Sequence, residues 1–285
     1  MGYGSYEQFE EKVFSMLNEG NFGEALSMVQ ERHEQGDSDA TCVLASMYLF
    51  GTVVIEDVDK AIELYEAALD SGNPQAAQML GSLFEDGDDK KGIVANPERA
   101  YRYYHRGADL GSPKSLGCLA HCYYWGTGTP EDNHKAFSYG IQAAKQGDVN
   151  GMIIAAFCYD DGLGTSRDPY AAAHWYREII QVDDRPRFMY RLSVCLADPF
   201  GAFNIHATQD MLEEAFHWAS KAVEAGSVEA HLIIAWFYET GNVVGVDYGT
   251  AHKFLTLAAE AGNEFAEDLL KRYRKNIRGD IYLPQ

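Results

Sequence analysis

Seven alanines, each followed eleven residues later by a turn residue, constrain the fold of this chain more than any other feature. Most turn residues are glycine, which tolerates the left-handed conformation that ends a helix. The next residue is always Asp, Asn or Ser, which are favoured as helix N-caps. This regular spacing of alanines, turn residues and N-caps therefore predicts a repeated unit in which one helix ends and another begins a residue later. The alanines are Ala25, Ala61, Ala100, Ala136, Ala172, Ala215 and Ala251, and the turn residues are Gly36, Gly72, Gly111, Gly147, Asp183, Gly226 and Gly262.

A small residue recurs near the start of the first helix of each unit, at intervals of 36 to 42 residues. Large apolar residues follow most of these anchors at four and eight residues, a spacing that places them on one buried helical face. An Asp or Asn then precedes each second helix, at Asp57, Asn96, Asp132, Asp168 and Asp247. The anchors are Ala40, Ala76, Ser115, Gly151, Ala230 and Ala266, with Phe188 as the exception.

This pattern resembles the Sel1-like repeat, a relative of the tetratricopeptide repeat, most clearly in residues 40–72, 76–111 and 151–183. The resemblance covers roughly residues 22–266 and implies an all-α, right-handed α-solenoid of about seven antiparallel helix-turn-helix repeats. We expect a single solenoid that spans residues 1–285. Within it, residues 6–36 form a degenerate capping unit, 37–262 the repeats, and 263–285 a capping helix and tail, with the helix running from about 264 to 277.

Two regions depart from the repeat. Residues 6–36 keep only a weak apolar pattern, with the first helix marked by Phe9, Val13, Phe14 and Leu17. Around residues 183–210, Asp183 replaces the turn glycine, Phe188 replaces the small anchor, and the connection lengthens through residues 198–201. We therefore expect an altered stacking angle between the repeats in this region.

The charge balance narrows the class of partner. The chain has 43 acidic and 23 basic residues, a formal net charge of −20. Such a surface disfavours nucleic acid, because phosphate contacts depend on Lys and Arg. It favours a basic partner, although solubility alone also explains it. No apolar run is long enough to span a membrane, so we expect no membrane insertion. The N-terminus lacks the pattern of a secretory signal, so we expect a cytoplasmic protein or one exported without such a signal.

A C-x-x-H-C cluster is the strongest hint of chemistry, because thiol and imidazole suit zinc. Its residues are Cys118, His121 and Cys122. However, Cys122, Cys158 and Cys195 all lie seven residues past their anchors, where other units have Met, Leu or Phe. That position is typical of core packing. We therefore expect five unpaired thiols, no metal site, no cofactor and no catalytic residues.

A protein-binding groove is the main functional prediction. If the helices stack as in tetratricopeptide arrays, the later units place apolar and aromatic residues on the concave face, with acids beside them. Such a composition is typical of a binding surface. The alternative is that tighter curvature buries these residues against neighbouring units. The residues are Tyr124, Trp125, Ile153, Phe157, Tyr190, Leu232 and Trp236, with Asp160, Asp161, Asp198 and Glu239.

The resemblance implies a non-catalytic adaptor, since Sel1-like proteins are typically scaffolds in signalling, secretion and the assembly of membrane complexes. We therefore predict a protein that binds a protein or peptide on its concave face, in one version an immunity or chaperone-like protein for a basic client. The alternative is a metal- or thiol-dependent enzyme centred on Cys118, His121 and Cys122.

Overall fold

In a computed structural model of the chain, the backbone is described for residues 3–203, 205–275 and 279–284, with side chains from residue 6 onward. The chain divides into two compact units, Met1–Ile154 and Ala155–Gln285.

The described residues form fifteen α-helices and two short strands. The first unit contains α1 (Tyr3–Asn18), α2 (Phe22–Glu34), α3 (Ser38–Phe50), α4 (Val58–Asp70), α5 (Pro74–Asp86), α6 (Pro97–Asp109), α7 (Pro113–Trp125), α8 (Asn133–Ala144) and the start of α9 (Val149–Asp161). A 3-10 helix, Asp89–Lys91, precedes α6. The second unit contains the end of α9, α10 (Pro169–Ile180), α11 (Pro186–Ala197), α12 (Gln209–Glu224), α13 (Ala230–Thr240), α14 (Tyr248–Glu260), α15 (Glu264–Leu270), β1 (Arg274–Lys275) and β2 (Ile281–Tyr282).

Consecutive helices pack as helix-turn-helix pairs, which confirms the predicted helical repeats. In the first unit α3 packs on α4, α5 on α6 and α7 on α8; in the second, α11 packs on α12 and α13 on α14. The end of α9 meets α10 where the Tyr176 hydroxyl donates to Asp160 at 2.9 Å. With α1 and α2, these pairs make the seven hairpins that the sequence predicts, and α15 follows them.

The predicted turn chemistry is present at most unit boundaries. Gly147 and Gly226 have φ values of 86° and 90°, the left-handed region that favours glycine at a helix end. Side chains of Asp, Asn or Ser accept hydrogen bonds from the backbone N–H three residues later, as at Asn73 with Ala76 (3.1 Å) and Ser112 with Ser115 (3.1 Å). The second helices also begin as predicted, for example where Asp57 accepts from the Lys60 N–H at 2.9 Å.

The turn at Asp183 differs from the others, and the cap of the next helix is not the one that the sequence predicts. Asp183 does not have a positive φ. Asp184 is not the N-cap of α11, which begins at Pro186 with Arg185 in the cap position. The residue before a proline is restricted to extended backbone, and proline is favoured at the first helical position. Asp183 instead accepts a hydrogen bond from the Arg185 N–H at 3.2 Å.

The small residues near the start of each first helix, and Phe188 in their place, lie in the core as predicted. Ala40, Ala76, Ser115, Phe188 and Ala230 are fully buried. Small residues also allow close approach between paired helices in the first unit. At Gly81, an added Cβ would lie 2.2 Å from the ring of Tyr104, so only glycine fits beneath that ring.

The C-terminal helix is shorter than predicted. It ends at Leu270 rather than near residue 277, and β1 and β2 then pair antiparallel. Residues 276–278 lie outside the described part of the chain. Beyond the helix, Tyr273 is 7% exposed and belongs to an apolar cluster with residues of α13, α14 and α15, against which Ile281 and Leu283 also pack. The basic residues from Lys271 to Lys275 therefore follow the helix instead of forming its last turns.

Candidate protein-binding groove

A cavity of about 320 Å³ lies in the second unit between α13, α14, α15 and the connection from α11 to α12. We call it the α13 groove. It is lined chiefly by Phe200, Leu232, Trp236, Glu239, Leu269 and Arg272. Three of these residues, Leu232, Trp236 and Glu239, belong to the predicted binding surface.

Helix α13 brings those three side chains together because they are spaced by four and three residues and so share one helical face. Leu232 is 6% exposed and forms the floor. Trp236 is half-buried, and its ring packs edge-on against Phe237 at 4.9 Å between centroids. The groove is therefore apolar at its base, with an indole partly open to solvent on its wall.

The long connection after α11 forms the opposite wall. Asp198 ends α11 in the left-handed region, with φ of 44°, and its carboxylate accepts from the N–H groups of Phe203 (3.0 Å) and Ile205 (3.3 Å). Arg167 holds the same segment by donating to the Ala202 carbonyl at 3.0 Å. Asp198, predicted as an acid beside the groove, thus serves to order this wall.

Phe200 is the residue of this wall that the sequence analysis missed. It is 46% exposed, and its ring lies edge-on to that of Phe265, with centroids 5.6 Å apart. Helical periodicity could not identify it, because it lies on a connection. The lengthened segment after Asp198 was the one available signal.

The acidic end of the groove is partly neutralised within the protein. Glu239 accepts a hydrogen bond from the Tyr273 hydroxyl, and Arg272 Nη1 lies 4.0 Å from Glu239 Oε2. Burial, reinforced by the hydrogen bond to Glu239 and by its charge, raises the pKa of Tyr273. The protonated hydroxyl orients Glu239 at the groove.

Four other predicted residues of the second unit lie around the end of α9. One of them, Asp160, is predicted as an acid beside the groove, but the structure buries it. Asp160 is 2% exposed and paired with Arg191 at 2.8 Å. Asp161 is exposed and lies 3.4 Å from the same guanidinium. Phe157 is half-buried, with its ring 6.5 Å from that of Tyr176. Tyr190, also half-buried, has a pKa raised by burial.

The remaining predicted residues belong to the first unit. Trp125 is 56% exposed and lies edge-on to Tyr124, with ring centroids 4.8 Å apart. Its ring also lies 6.4 Å from that of His121. Ile153 is half-buried. The rings of His121, Tyr124 and Trp125 make a local aromatic surface at the end of α7.

The cysteines occupy packing positions. Cys122, Cys158 and Cys195 are at most 1% exposed, which confirms the predicted core slot, and all five cysteines are free thiols. Burial raises the pKa of Cys118 and of Cys122 to about 12, so without a bound metal ion both thiols keep their protons at neutral pH. Among the described residues, no three His, Cys, Asp or Glu side chains are placed to hold one metal ion. None of the described helices combines the length and the apolar character needed to cross a bilayer.

Comparisons with known proteins agree with this fold. The chain superposes with a TM-score of 0.69 on a protective antigen of uropathogenic Escherichia coli that displays an SLR fold, at 24% identity over 93% of this chain and 58% of that one. A Sel1 repeat protein from Oxalobacter formigenes gives a TM-score of 0.63 at 21% identity, over 88% and 96% of the two chains. Both confirm the α-solenoid repeat fold.

A curated relative is an uncharacterised protein of Neisseria meningitidis serogroup B, 32% identical over 89 residues. The match spans 31% of this chain and 18% of that protein. The Sel1 repeat model matches residues 38–73, 74–112, 116–148, 150–180, 186–227 and 228–263. Sel1 repeat proteins are generally protein-interaction scaffolds and are typically non-catalytic. With six repeats over most of its length, the chain belongs to the Sel1 repeat family.

Proposed function

We propose that this chain is a non-catalytic adaptor that binds a segment of a partner protein in the α13 groove. The observation that carries the proposal is the placement of Trp236 opposite Phe200, two aromatic side chains left partly open above the buried floor of Leu232. Aromatic residues in such a setting are the usual anchors of protein interfaces. The partner is expected to insert an apolar side chain between them.

The charge of the chain favours a basic client, as an immunity or chaperone-like protein would hold. A net charge of −20 attracts a cationic protein over long range. Within the groove itself Arg272 offsets part of the charge of Glu239. Electrostatic attraction is therefore expected to speed encounter, while the apolar contacts hold the complex together.

The proposal is tested by quantitative affinity capture with three proteins: the wild type, Trp236→Ser and Leu257→Ser. Leu257 is 41% exposed on α14 and does not line the groove, so its variant controls for loss of an exposed apolar side chain. Proteins captured by the wild type and by Leu257→Ser, but lost with Trp236→Ser, are the candidate partners. The leading candidate is then purified and its affinity for each variant is measured by titration calorimetry.

A partner that binds Trp236→Ser as tightly as the wild type would remove the α13 groove from the function. Increasing the salt concentration should weaken the wild-type complex if the client is basic, because screening reduces attraction between opposite charges. An affinity unchanged by salt would argue against a basic client and leave the groove itself in place.

A further inference from the structure

A second apolar cavity, of about 310 Å³, lies in the first unit between α1, α3 and α5. We call it the N-terminal groove. Its floor contains Val13 and Met47, which are 2% and 3% exposed. Its rim carries Phe14 and Phe50, which are 55% and 61% exposed. Two large aromatic side chains of this exposure beside a buried apolar floor are the pattern of a docking surface rather than of scattered surface residues.

The other apolar residues that line the N-terminal groove allow it to accept side chains of different shapes. Leu17 and Met79 complete the apolar wall and are both half-buried. Methionine is flexible and polarizable, so Met47 and Met79 can adjust to apolar side chains of different shapes. Phe14 lies on α1, the first helix of the N-terminal unit as predicted, and its ring is largely open to solvent.

Glu10 is the charged residue in the lining of the N-terminal groove. Glu10 is half-buried in the lining and accepts a hydrogen bond from the Tyr6 hydroxyl at 2.9 Å. Within residues 6–203, 205–275 and 279–284, no lysine or arginine forms an ion pair with it. Lys91 reaches the rim, 5.9 Å from the centre of the Phe50 ring, but its ammonium is held by the Leu49 carbonyl (2.8 Å) and by Glu56 (2.7 Å).

We infer that the N-terminal groove binds an amphipathic helix of a partner protein, with apolar side chains seated between Phe14 and Phe50 and a lysine or arginine paired with Glu10. Helices dock in apolar grooves through side chains spaced by three or four residues, and the N-terminal groove, bordered by α1, α3 and α5, suits such a helix. A cationic side chain beside the Glu10 carboxylate would add an ion pair, and this preference selects among apolar helices. This site is independent of the α13 groove, so the chain would hold two different protein segments.

The test is selection of helix-forming random peptides displayed on phage against the wild-type chain, with removal of those that also bind the Phe14→Ser/Phe50→Ser variant. The matched control is Phe22→Ser/Ile55→Ser, since these side chains are 53% and 90% exposed outside the groove. The enriched peptides are expected to carry apolar residues at helical spacing and a Lys or Arg at a fixed position. They should bind the control variant as they bind the wild type.

One enriched peptide, labelled with fluorescein, then reports on the charge. Its affinity should fall about tenfold when its cationic residue is changed to glutamine, and Glu10→Gln should cause a similar loss with the original peptide. The two changes combined should cost no more than either alone, because both remove the same ion pair. Glu10→Gln also keeps the test valid if the double Phe variant fails to fold.

Three results would overturn the inference: peptides without a conserved cation, affinities unaffected by Glu10→Gln, or a selection that yields no groove-dependent peptide. A dimer in sedimentation analysis that dissociates on Phe14→Ser/Phe50→Ser would also overturn it by assigning the groove to a second copy of the chain. Trp236→Ser should leave peptide binding unchanged, so the outcome does not depend on whether the α13 groove is functional.

Discussion

Arg191 on α11 donates to the carboxylate of Asp160 on α9 at 2.8 Å, and Asp160 is almost entirely buried. The hydroxyl of Tyr176 on α10 donates to the same carboxylate at 2.9 Å. One acidic side chain thus joins three successive helices of the second unit. Since both its donors come from within the protein, Asp160 stabilises the repeat stack instead of offering a charge to a partner.

Removing this carboxylate should destabilise the protein. Asp160→Ala leaves the Arg191 charge without its buried counterion and the Tyr176 hydroxyl without an acceptor, and we expect the free energy of unfolding to fall by about 3 kcal/mol. Urea unfolding followed by circular dichroism measures this change. Asp161→Ala is the control, because Asp161 pairs with the same guanidinium from an exposed position and should cost less than about 1 kcal/mol. Equal losses for the two variants would contradict the structural role of Asp160.

The unit boundaries can be tested at their glycines. Gly147→Val and Gly226→Val should each lower the free energy of unfolding by roughly 1–3 kcal/mol, because a β-branched residue resists the positive φ of these turns. No atom lies within 4 Å of an added Cβ at either site, so the cost comes from the backbone alone. Gly23→Val, on a helical residue with equally open surroundings, should be nearly neutral. Melting temperatures of the three variants and the wild type test this, and equal values for all four would show that the turns are misplaced.

The thiols should be unreactive in the folded chain. Burial raises the pKa of Cys42, Cys118, Cys122 and Cys158 to about 12, so at a pH of about 8 the reactive thiolate is scarce. We expect Ellman's reagent to titrate the five cysteines quickly in urea and only very slowly under native conditions. A fast reaction of Cys118 or Cys122 with Ellman's reagent in the folded protein would contradict this expectation and favour the thiol-dependent enzyme.

The same shifts predict that stability declines in alkali. A thiol with a raised pKa in the folded state keeps its proton while the unfolded chain loses it, so the unfolded state gains stability as the pH rises above the ordinary value near 9. The loss should continue up to about 12, the value that burial gives Cys122 and Cys158, with a slope of up to about 1.4 kcal/mol per pH unit for each thiol. Melting temperatures measured between these limits should fall steadily. A flat profile would show that the cysteines are not buried as the structure has them.

The repeat could be predicted from the sequence because its signals are local. A glycine that ends a helix and an Asp or Asn that caps the next one act over a few residues, and the buried anchors such as Ala40 and Ala230 recur in register. Where a local rule met a competing one, the prediction was wrong: Pro186 set the start of α11 and displaced the expected cap at Asp184.

The binding surface was less predictable because exposure depends on contacts between distant residues. Asp160 and Asp161 are adjacent in sequence, yet one is buried by Arg191 and Tyr176 and the other is exposed. Phe200 lies on a connection and has no periodicity to mark it. Partner binding by the predicted residues stays a prediction, now focused on Leu232, Trp236 and Glu239.

The last prediction separates packing from binding at two aromatic residues that the sequence treats alike. Phe157 and Trp236 both lie six residues after an anchor, and both are half-buried. Phe157 lies beside Tyr176 and beside Arg191, whose guanidinium lies 6.0 Å from the centre of its ring, so Phe157→Ser should cost about 3 kcal/mol of stability. Trp236→Ser should cost less stability, and it should weaken partner binding by about 2 kcal/mol because the indole forms the groove wall.

Urea unfolding and partner titration on the same samples distinguish the two roles. The expected result is a crossed pattern, in which Phe157→Ser mainly lowers the urea midpoint and Trp236→Ser mainly raises the dissociation constant. Should Trp236→Ser unfold the protein as readily as Phe157→Ser does, then Trp236 is part of the core and the α13 groove loses its anchor. If both variants remain stable and both weaken binding, the binding surface extends from α13 to the end of α9, and Asp161, exposed beside Phe157, becomes the acid to neutralise in the following experiment.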